Sequence, residues 1–336
     1  MKKAIPPSFW YVLICFLLLI SIAIGVATLI SVGNMKCNCK CGEIADDTEA
    51  PVDTEAPVVT DAPVTDAPVT DAPITDVPET DTPETEAPAE EVGGYPYYLW
   101  DEKMMISHRG LSEKYPENTQ IAIDAAIDAG LKIIEIDIRM TADNIPVLLH
   151  DGTIDRTSNG SGNISKMSFA SASRYDYGAW KGYEGQKLLK LKDVLLYFKE
   201  KGVACELDLK ESFTEKQRRI IYDTVVESGM LDSTVFTATS GVLDEYLKFD
   251  RSIIISISSM TSLDICRNTL PNYTDCRLVL ASMKYTYFTP EIAEYVHSLG
   301  DNMKIKLWTV NNTQTAADLF SKGADIVLSD NIISVP

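Results

Sequence analysis

Past Tyr95 the chain falls into short β-branched runs separated by amphipathic stretches, and this alternation recurs eight times. The runs are MMISHRG (104–110), IIEIDIR (133–139), ACELDLK (204–210), STVFTAT (233–239), SIIISIS (252–258), RLVLASM (277–283), KIKLWTV (304–310) and ADIVLSD (324–330). Segments such as NTQIAIDAAIDAG, EKQRRIIYDTVVESG and TQTAADLFSKG lie between them, helical by periodicity and closed by glycines suited to helix C-termini. Eight βα units in roughly 235 residues predict an α/β chain closed into a (β/α)8 TIM barrel over 95–336. The alternative, an open doubly wound sheet, calls for a Gly-rich phosphate loop after the first strand, and the sequence has none there. The stretch from Arg139 to Asp193 is too long for a simple connection. It holds PVLLHD, which reads as an extra short strand, and a Gly/Ser-rich loop, so a small insertion is expected after the second strand, at the barrel mouth.

The first 94 residues follow other rules. After a short tail, 1–8, residues 9–32 carry no charge over 24 positions, enough to cross about 30 Å of hydrocarbon as a helix. A cleaved signal peptide is the alternative, but the run exceeds the usual apolar core and no A-x-A site follows Val32. A single transmembrane helix is therefore expected. Its orientation is not set by charge, because Lys2 and Lys3 on one side balance Lys36 and Lys40 on the other.

Residues 33–94 begin with Cys37, Cys39 and Cys41, spaced more tightly than structural zinc ligands and open to inter-chain disulfides or acylation. A period-five repeat, TDAPVTDAPVTDAPITDVPETDTPETEAP, follows. Residues 44–93 contain fifteen Asp or Glu and no Lys or Arg, so removing them from a net charge of −19 leaves −4. Regular proline and like charges predict a disordered, semi-rigid spacer that would reach roughly 150 Å if fully extended. Such a tether suits an outward-facing domain on a cell membrane, with the N-terminus cytoplasmic. No basic patch of the kind nucleic-acid binding needs is visible, which excludes that class of partner. Cys266 and Cys276 either pair across a loop or remain separate thiols.

Alternate residues of a strand share a face, so Glu135, Asp137 and Arg139 point one way and Ile134, Ile136 and Ile138 the other. In a barrel the isoleucines meet the helices and the charged set faces inward. ACELDLK repeats the split, with Glu206, Asp208 and Lys210 opposed to Cys205, Leu207 and Leu209. Carboxylates from two strands at one end of a barrel make an oxygen-rich site suited to a hard divalent cation, Ca2+ or Mg2+, rather than zinc. The alternative is a buried salt-bridge network with Arg139 and Lys210. Of three histidines, His108 and His150 end β-type segments at the expected catalytic face, and a pair of imidazoles suits the two proton transfers of phosphodiester cleavage. Arg109 offers a planar fork for phosphate oxygens. His297 lies in a helical stretch and is assigned no role.

HRG (108–110), PENT (116–119), EIDIRMTADNIPVLLHD (135–151), DRTSNGSG and WTVN (308–311) together resemble the glycerophosphodiester phosphodiesterase family, in order, from about Ile106 to Asn331. The resemblance implies His108 and His150 as acid/base pair, Glu135, Asp137 and Asp208 as metal ligands, and Arg109 and Lys210 as phosphate contacts. Asp208 stands where the family usually has Glu, so a shorter reach, a water or Glu206 completing the shell is expected. Glu117 and Asn118 match the family motif without a clear division between binding and structural roles, and Trp308 fits either the mouth of the site or the core. The expected reaction is metal-dependent hydrolysis of glycerophosphodiesters to glycerol 3-phosphate and an alcohol. Two alternatives stand beside it. One is a lipid phosphodiesterase of the phosphatidylinositol phospholipase C or lysophospholipase D type, and the other is a surface-displayed, non-catalytic binding module.

Overall fold

The computed structural model describes residues 102–333. The predicted tail, membrane span and acidic linker, with Cys37, Cys39 and Cys41, lie outside the described residues. Among the described residues no helix is long and apolar enough to cross a membrane.

Nine strands are present: β1 (Met104–His108), β2 (Ile133–Met140), β3 (Pro146–Leu148), β4 (Ala204–Leu209), β5 (Thr234–Ala238), β6 (Ile254–Ile257), β7 (Leu278–Lys284), β8 (Met303–Trp308) and β9 (Ile326–Ser329). All but β3 are parallel, and because β1 pairs with both β9 and β2 the sheet closes into an eight-stranded barrel. Each predicted run is one of these eight strands. The ninth, β3, lies in the insertion and pairs antiparallel with β2, with Ile138 opposite Leu148. The described α-helices are α1 (Gln120–Asp128), α2 (Phe169–Ala172), α3 (Leu191–Lys201), α4 (Glu215–Glu227), α5 (Ser240–Leu247), α6 (Leu263–Thr269), α7 (Pro290–Ser298) and α8 (Thr313–Ser321), with short 3-10 turns between some of the elements. Of these α4 shows most directly how sequence sets its ends. Thr214 and Gln217 form a reciprocal capping box at its start, and Gly229 just beyond its end takes φ 66°.

The period-two pattern of the strands sorts their side chains into two cores. Outward-facing Ile134, Ile136, Ile138, Cys205, Leu207 and Leu209 pack into a large cluster with helix residues such as Ile123, Leu195, Phe198 and Ile221. Inward-facing Ile106, Ile133, Ala204, Val235, Ile254, Leu278, Leu280, Ile326 and Leu328 form a separate apolar plug inside the barrel. The barrel is thus filled rather than hollow, as expected for eight strands. Above the plug the interior turns polar. The register places Glu135 beside Glu206 and, one layer nearer the strands' C-terminal ends, Asp137 beside Asp208.

The insertion builds a small core of its own from Val147, Leu149, Ile154, Ile164, Ala172, Tyr177 and Leu188. This anchors the loop that carries His150. Cys266 and Cys276 are both buried free thiols, which settles the earlier pair of alternatives against a disulfide.

Gly110 closes the HRG turn after β1 with φ 79°, and a Cβ there would stand 2.5 Å from the backbone carbon and oxygen of Ala122 in α1. Leu111 N–H donates to that same carbonyl at 3.0 Å, so the close approach is what ties the turn to α1. Gly110→Ala is expected to destabilise the domain by about 2 kcal/mol or more, through strain and clash together, in urea unfolding. A wild-type midpoint would contradict this account of the turn.

Candidate active site

Asp137 is fully buried on β2, which demands compensation for its charge. Arg109 Nε lies 2.9 Å and Lys210 Nζ 2.8 Å from its two carboxylate oxygens. Asn118 Nδ2 donates to Oδ2 at 2.6 Å, and the Asp137 N–H donates back to Asn118 Oδ1 at 3.1 Å. Burial alone would raise the Asp137 carboxyl, but Arg109 and Lys210 hold it below the ordinary aspartate range. Arg109 and Asn118 both adopt left-handed backbone, each with φ 57°, an unfavourable conformation for residues bearing a Cβ. It persists because Arg109 N–H bonds the Glu135 backbone oxygen at 2.9 Å and Asn118 N–H bonds the Arg109 carbonyl at 3.1 Å.

Glu135 is equally buried and far less well served. Its Oε2 accepts from Arg109 N–H at 3.0 Å, whereas Oε1 has no hydrogen-bond partner. Burial, and then the charges of Asp137 and Asp208, push its carboxyl well above the usual range. Oxygens of Glu135, Asp137 and Asp208 all lie within 4.8 Å of one another. A buried, unpartnered oxygen in a group of three carboxylates is a donor set short of positive charge, and an all-oxygen set of this kind fits a hard divalent cation. Asp208 therefore reaches the site despite its shorter side chain, and also pairs with Lys210. Glu206 does not complete the shell. Its carboxylate is taken by Lys306 and by Thr237 Oγ1, the latter at 2.6 Å. The salt-bridge alternative holds for Lys210 but not for Arg139, which turns away to donate to the His150 carbonyl at 2.8 and 3.1 Å.

Each candidate histidine has a carboxylate on Nδ1. His108 Nδ1 lies 2.6 Å from Asp330 Oδ1, and His150 Nδ1 lies 2.6 Å from Asp151 Oδ1. A carboxylate only accepts, so Nδ1 carries the proton in both rings and Nε2 is left for chemistry. His108 Nε2 faces the triad, 3.9 Å from Glu135 Oε2. Asp330 also accepts from Ser112 Oγ at 3.0 Å and Asn311 Nδ2 at 2.7 Å. Although its burial acts to raise the carboxyl, the His108 and Asn311 bonds keep it well below normal. Asp151 is held low chiefly by its bond from Arg156, which also bridges to Glu117 at 2.8 and 2.9 Å. Glu117 in turn accepts from Arg109 at 3.1 Å, so its role is to position arginines.

His108, Arg109, Glu135, His150, Asp208 and Lys210 line one cavity of about 280 Å3, with Trp308 at its rim, 36% exposed. The structure thus brings together all the predicted site residues, six lining this cavity and Asp137 joined to them through Arg109 and Lys210. It places Trp308 at the mouth rather than in the core. His297 is remote on α7, bonded to Asp325 at 2.8 Å. Sequence reasoning missed Asp330, Arg156 and Lys306. Asp330 could have been found as an acid just past the last strand, and Lys306 as a charge on the inward face of KIKLW.

A barrel with an acidic triad that could hold a metal ion and two carboxylate-oriented histidines at its C-terminal rim has the layout of a hydrolase. A sequence profile described as the glycerophosphoryl diester phosphodiesterase family matches residues 108–334, and the chain belongs to that family. A glycerophosphodiester phosphodiesterase of Caldanaerobacter subterraneus is 25% identical over 246 residues, 68% of this chain and 94% of the relative. The human protein glycerophosphodiester phosphodiesterase 1 is 46% identical over 69 residues, 20% of this chain and 21% of its own. Among solved structures, a phosphodiesterase from Oleispira antarctica in complex with the product sn-glycerol-3-phosphate superposes with a TM-score of 0.62 at 25% identity, covering 68% of this chain and 93% of that one.

The raised Glu135 carboxyl has a consequence for stability. A folded state that binds this proton more tightly than the unfolded chain is favoured below the unfolded value, near 4.3, and loses that advantage as pH rises through the folded value. Metal-free protein should therefore lose stability with rising pH above about 4.3 through this group. Glu135→Gln should flatten that component and raise the metal-free melting temperature at neutral pH, while Ca2+ or Mg2+ should stabilise the wild type and not the variant. Equal stabilisation of both proteins by metal would exclude Glu135 as a ligand.

Proposed function

We propose that the chain is a metal-dependent glycerophosphodiester phosphodiesterase that releases glycerol 3-phosphate and an alcohol, with His108 and His150 transferring the protons. The observation that carries this reading is the shared cavity: two imidazoles with Nδ1 committed to carboxylates line the same space as Glu135 and Asp208, whose oxygens lie within 4.8 Å of Asp137. The three carboxylates would hold a Ca2+ or Mg2+ ion, which when bound neutralises phosphodiester charge and polarises the phosphorus. Arg109 and Lys210, both at the triad, add donors for phosphoryl oxygens and share the charge that builds in the transition state. One histidine accepts a proton at Nε2 from the nucleophile, either a water, which gives glycerol 3-phosphate directly, or the neighbouring glycerol hydroxyl, whose cyclic phosphate a water then opens to glycerol 3-phosphate. The other enters this step as the imidazolium, protonated at both nitrogens, and delivers its Nε2 proton to the departing alcohol. Asp330 and Asp151 hold the rings in the tautomer these steps need and stabilise the imidazolium form.

Residues 9–32, free of charge over 24 positions, support single-pass anchoring in the cell membrane, and the acidic spacer supports an extracellular catalytic domain. Protease treatment of intact cells should release the catalytic domain; complete protection would reverse this topology.

Hydrolysis of glycerophosphocholine, followed as glycerol 3-phosphate release, tests the reaction. Activity should fall to background in EDTA and return with Ca2+ or Mg2+, and activity that survives chelation would remove the metal from the scheme. His108→Ala and His150→Ala should each lower turnover on the order of a hundredfold or more with the fold intact by circular dichroism. Near-normal turnover in either variant would strip that histidine of its role.

A further inference from the structure

The two histidines of this scheme rest on carboxylates that are themselves held very differently. Asp330, behind His108, accepts from Ser112 Oγ and Asn311 Nδ2, and its own N–H donates to Asn311 Oδ1 at 2.9 Å, so the loops after β1 and β8 fix it from both sides. The Asp151 carboxylate, behind His150, has one partner besides the imidazole among the described residues, and that partner is Arg156. Arg156 Nε donates to Oδ2 at 2.7 Å and Nη2 to Oδ1 at 3.2 Å. The His150 side chain is also the more open of the two, 36% exposed against 15% for His108. An open ring whose orienting acid is tethered by one side chain depends on that side chain for its direction.

A second edge of the same guanidinium grips a second acid. Nη1 donates to Glu117 Oε2 at 2.9 Å and Nη2 to Glu117 Oε1 at 2.8 Å, a bidentate pair. Glu117 stands in the loop between β1 and α1 and also accepts from Arg109, the phosphate contact, whose Nε lies 2.9 Å from Asp137. The four bonds of Arg156 thus close a planar bridge between the insertion, which carries His150, and the turn after β1, which carries Arg109 next to His108. Only a guanidinium offers donors on two edges of one rigid plane, whereas an ammonium is a single point of charge. Neither Arg156 nor its two acids is among the residues that line the catalytic cavity. With 44% of its side chain exposed, Arg156 fills no core space, and the apolar core of the insertion is built without it.

We propose that Arg156 is a positioning residue for the reaction, clamping Asp151 behind His150 and Glu117 behind Arg109 so that the imidazole and the phosphate contact keep one fixed separation. The inference rests on the phosphodiesterase reading above. The clamp acts on the geometry of proton transfer more than on binding. Arg109 keeps its contact with Asp137 when Arg156 is lost, so the substrate is still held. Asp151 is then left with the imidazole alone, and ring and carboxylate are free to swing together away from the phosphorus. Misorientation of one proton-transfer group lowers turnover and leaves KM nearly unchanged.

Steady-state hydrolysis of glycerophosphocholine by the full-length protein in Mg2+ tests the clamp. Arg156→Ala should lower kcat by about tenfold to a hundredfold, with KM and the urea midpoint close to wild type. Guanidinium ion, far below the concentrations that unfold the domain, should restore part of that kcat in Arg156→Ala and none in His150→Ala. A sodium salt at the same ionic strength should restore neither. Arg156→Lys should stay nearer to Arg156→Ala than to wild type, because one ammonium cannot hold two carboxylates in a plane. The clamp is overturned by wild-type kcat in either variant, by a loss that lies in KM or in the urea midpoint, or by a loss that guanidinium leaves untouched. A wild type that fails to hydrolyse the diester would bring down the phosphodiesterase reading and the clamp with it. An active wild type beside an equally active Arg156→Ala refutes the clamp alone.

Discussion

The buried charge on β2 governs this structure. Asp137 and Glu135 sit inside a barrel whose lower half is apolar, where an uncompensated carboxylate is expensive. Around Asp137 the chain has assembled Arg109 from the first βα turn, Asn118 from the loop before α1 and Lys210 from the end of β4. Delivering two of those groups requires left-handed backbone at Arg109 and Asn118, and the turn between them packs so closely on α1 that only glycine fits at position 110. The HRG and PENT motifs are therefore one device, a strained loop that carries positive charge and an amide to a single aspartate. Glu135 receives no such service at Oε1, and the imbalance between the two acids is what makes the site receptive to a cation.

From Asp137 a continuous chain of charge runs outward. Arg109 links it to Glu117, Glu117 to Arg156, Arg156 to Asp151, and Asp151 to His150. The insertion between β2 and α3 thus has a clear purpose. It contributes the second histidine on a loop that would otherwise be free to move, and its own apolar core, together with the Arg139 bonds to the His150 carbonyl, fixes that loop against the barrel. The opposite histidine needs no such support because Asp330 follows the last strand directly and the barrel's closure between β1 and β9 brings it to His108.

The barrel was legible because its signals are local and redundant. Eight apolar runs separated by amphipathic segments leave few topologies, and the alternation in IIEIDIR and ACELDLK assigns faces without knowledge of the partner strands. His108, His150 and the acids could be read for the same reason, since each stands on or just past a strand. Asp330 could not be assigned to His108, which is 222 residues away, because that pairing exists only once the barrel closes. The expectation that Glu206 might serve the metal failed for a related reason. The sequence shows an inward acid on β4 and an inward lysine on β8, but not that the closed barrel sets the two strands opposite each other and pairs them.

That last pairing also bears on how the two inward acids of β4 divide between the triad and the barrel interior. Glu206 and Asp208 point inward from the same strand, one layer apart; Glu206 is level with Glu135 but its carboxylate is turned to Lys306 and Thr237, whereas Asp208 brings an oxygen within 4.8 Å of Glu135 and Asp137. Paired with Lys306, Glu206 stands apart from the three carboxylates although it is level with Glu135. An apolar pair at 206 and 306 would pack against the plug below and cost the fold less than two desolvated charges. Retaining an ion pair there, in a layer open to the catalytic cavity, sacrifices stability. The interior is therefore graded along the barrel axis: an apolar base that stabilises the fold, above it a layer in which Glu135 stands level with the Glu206–Lys306 pair, and at the rim Asp137, Asp208 and the imidazoles.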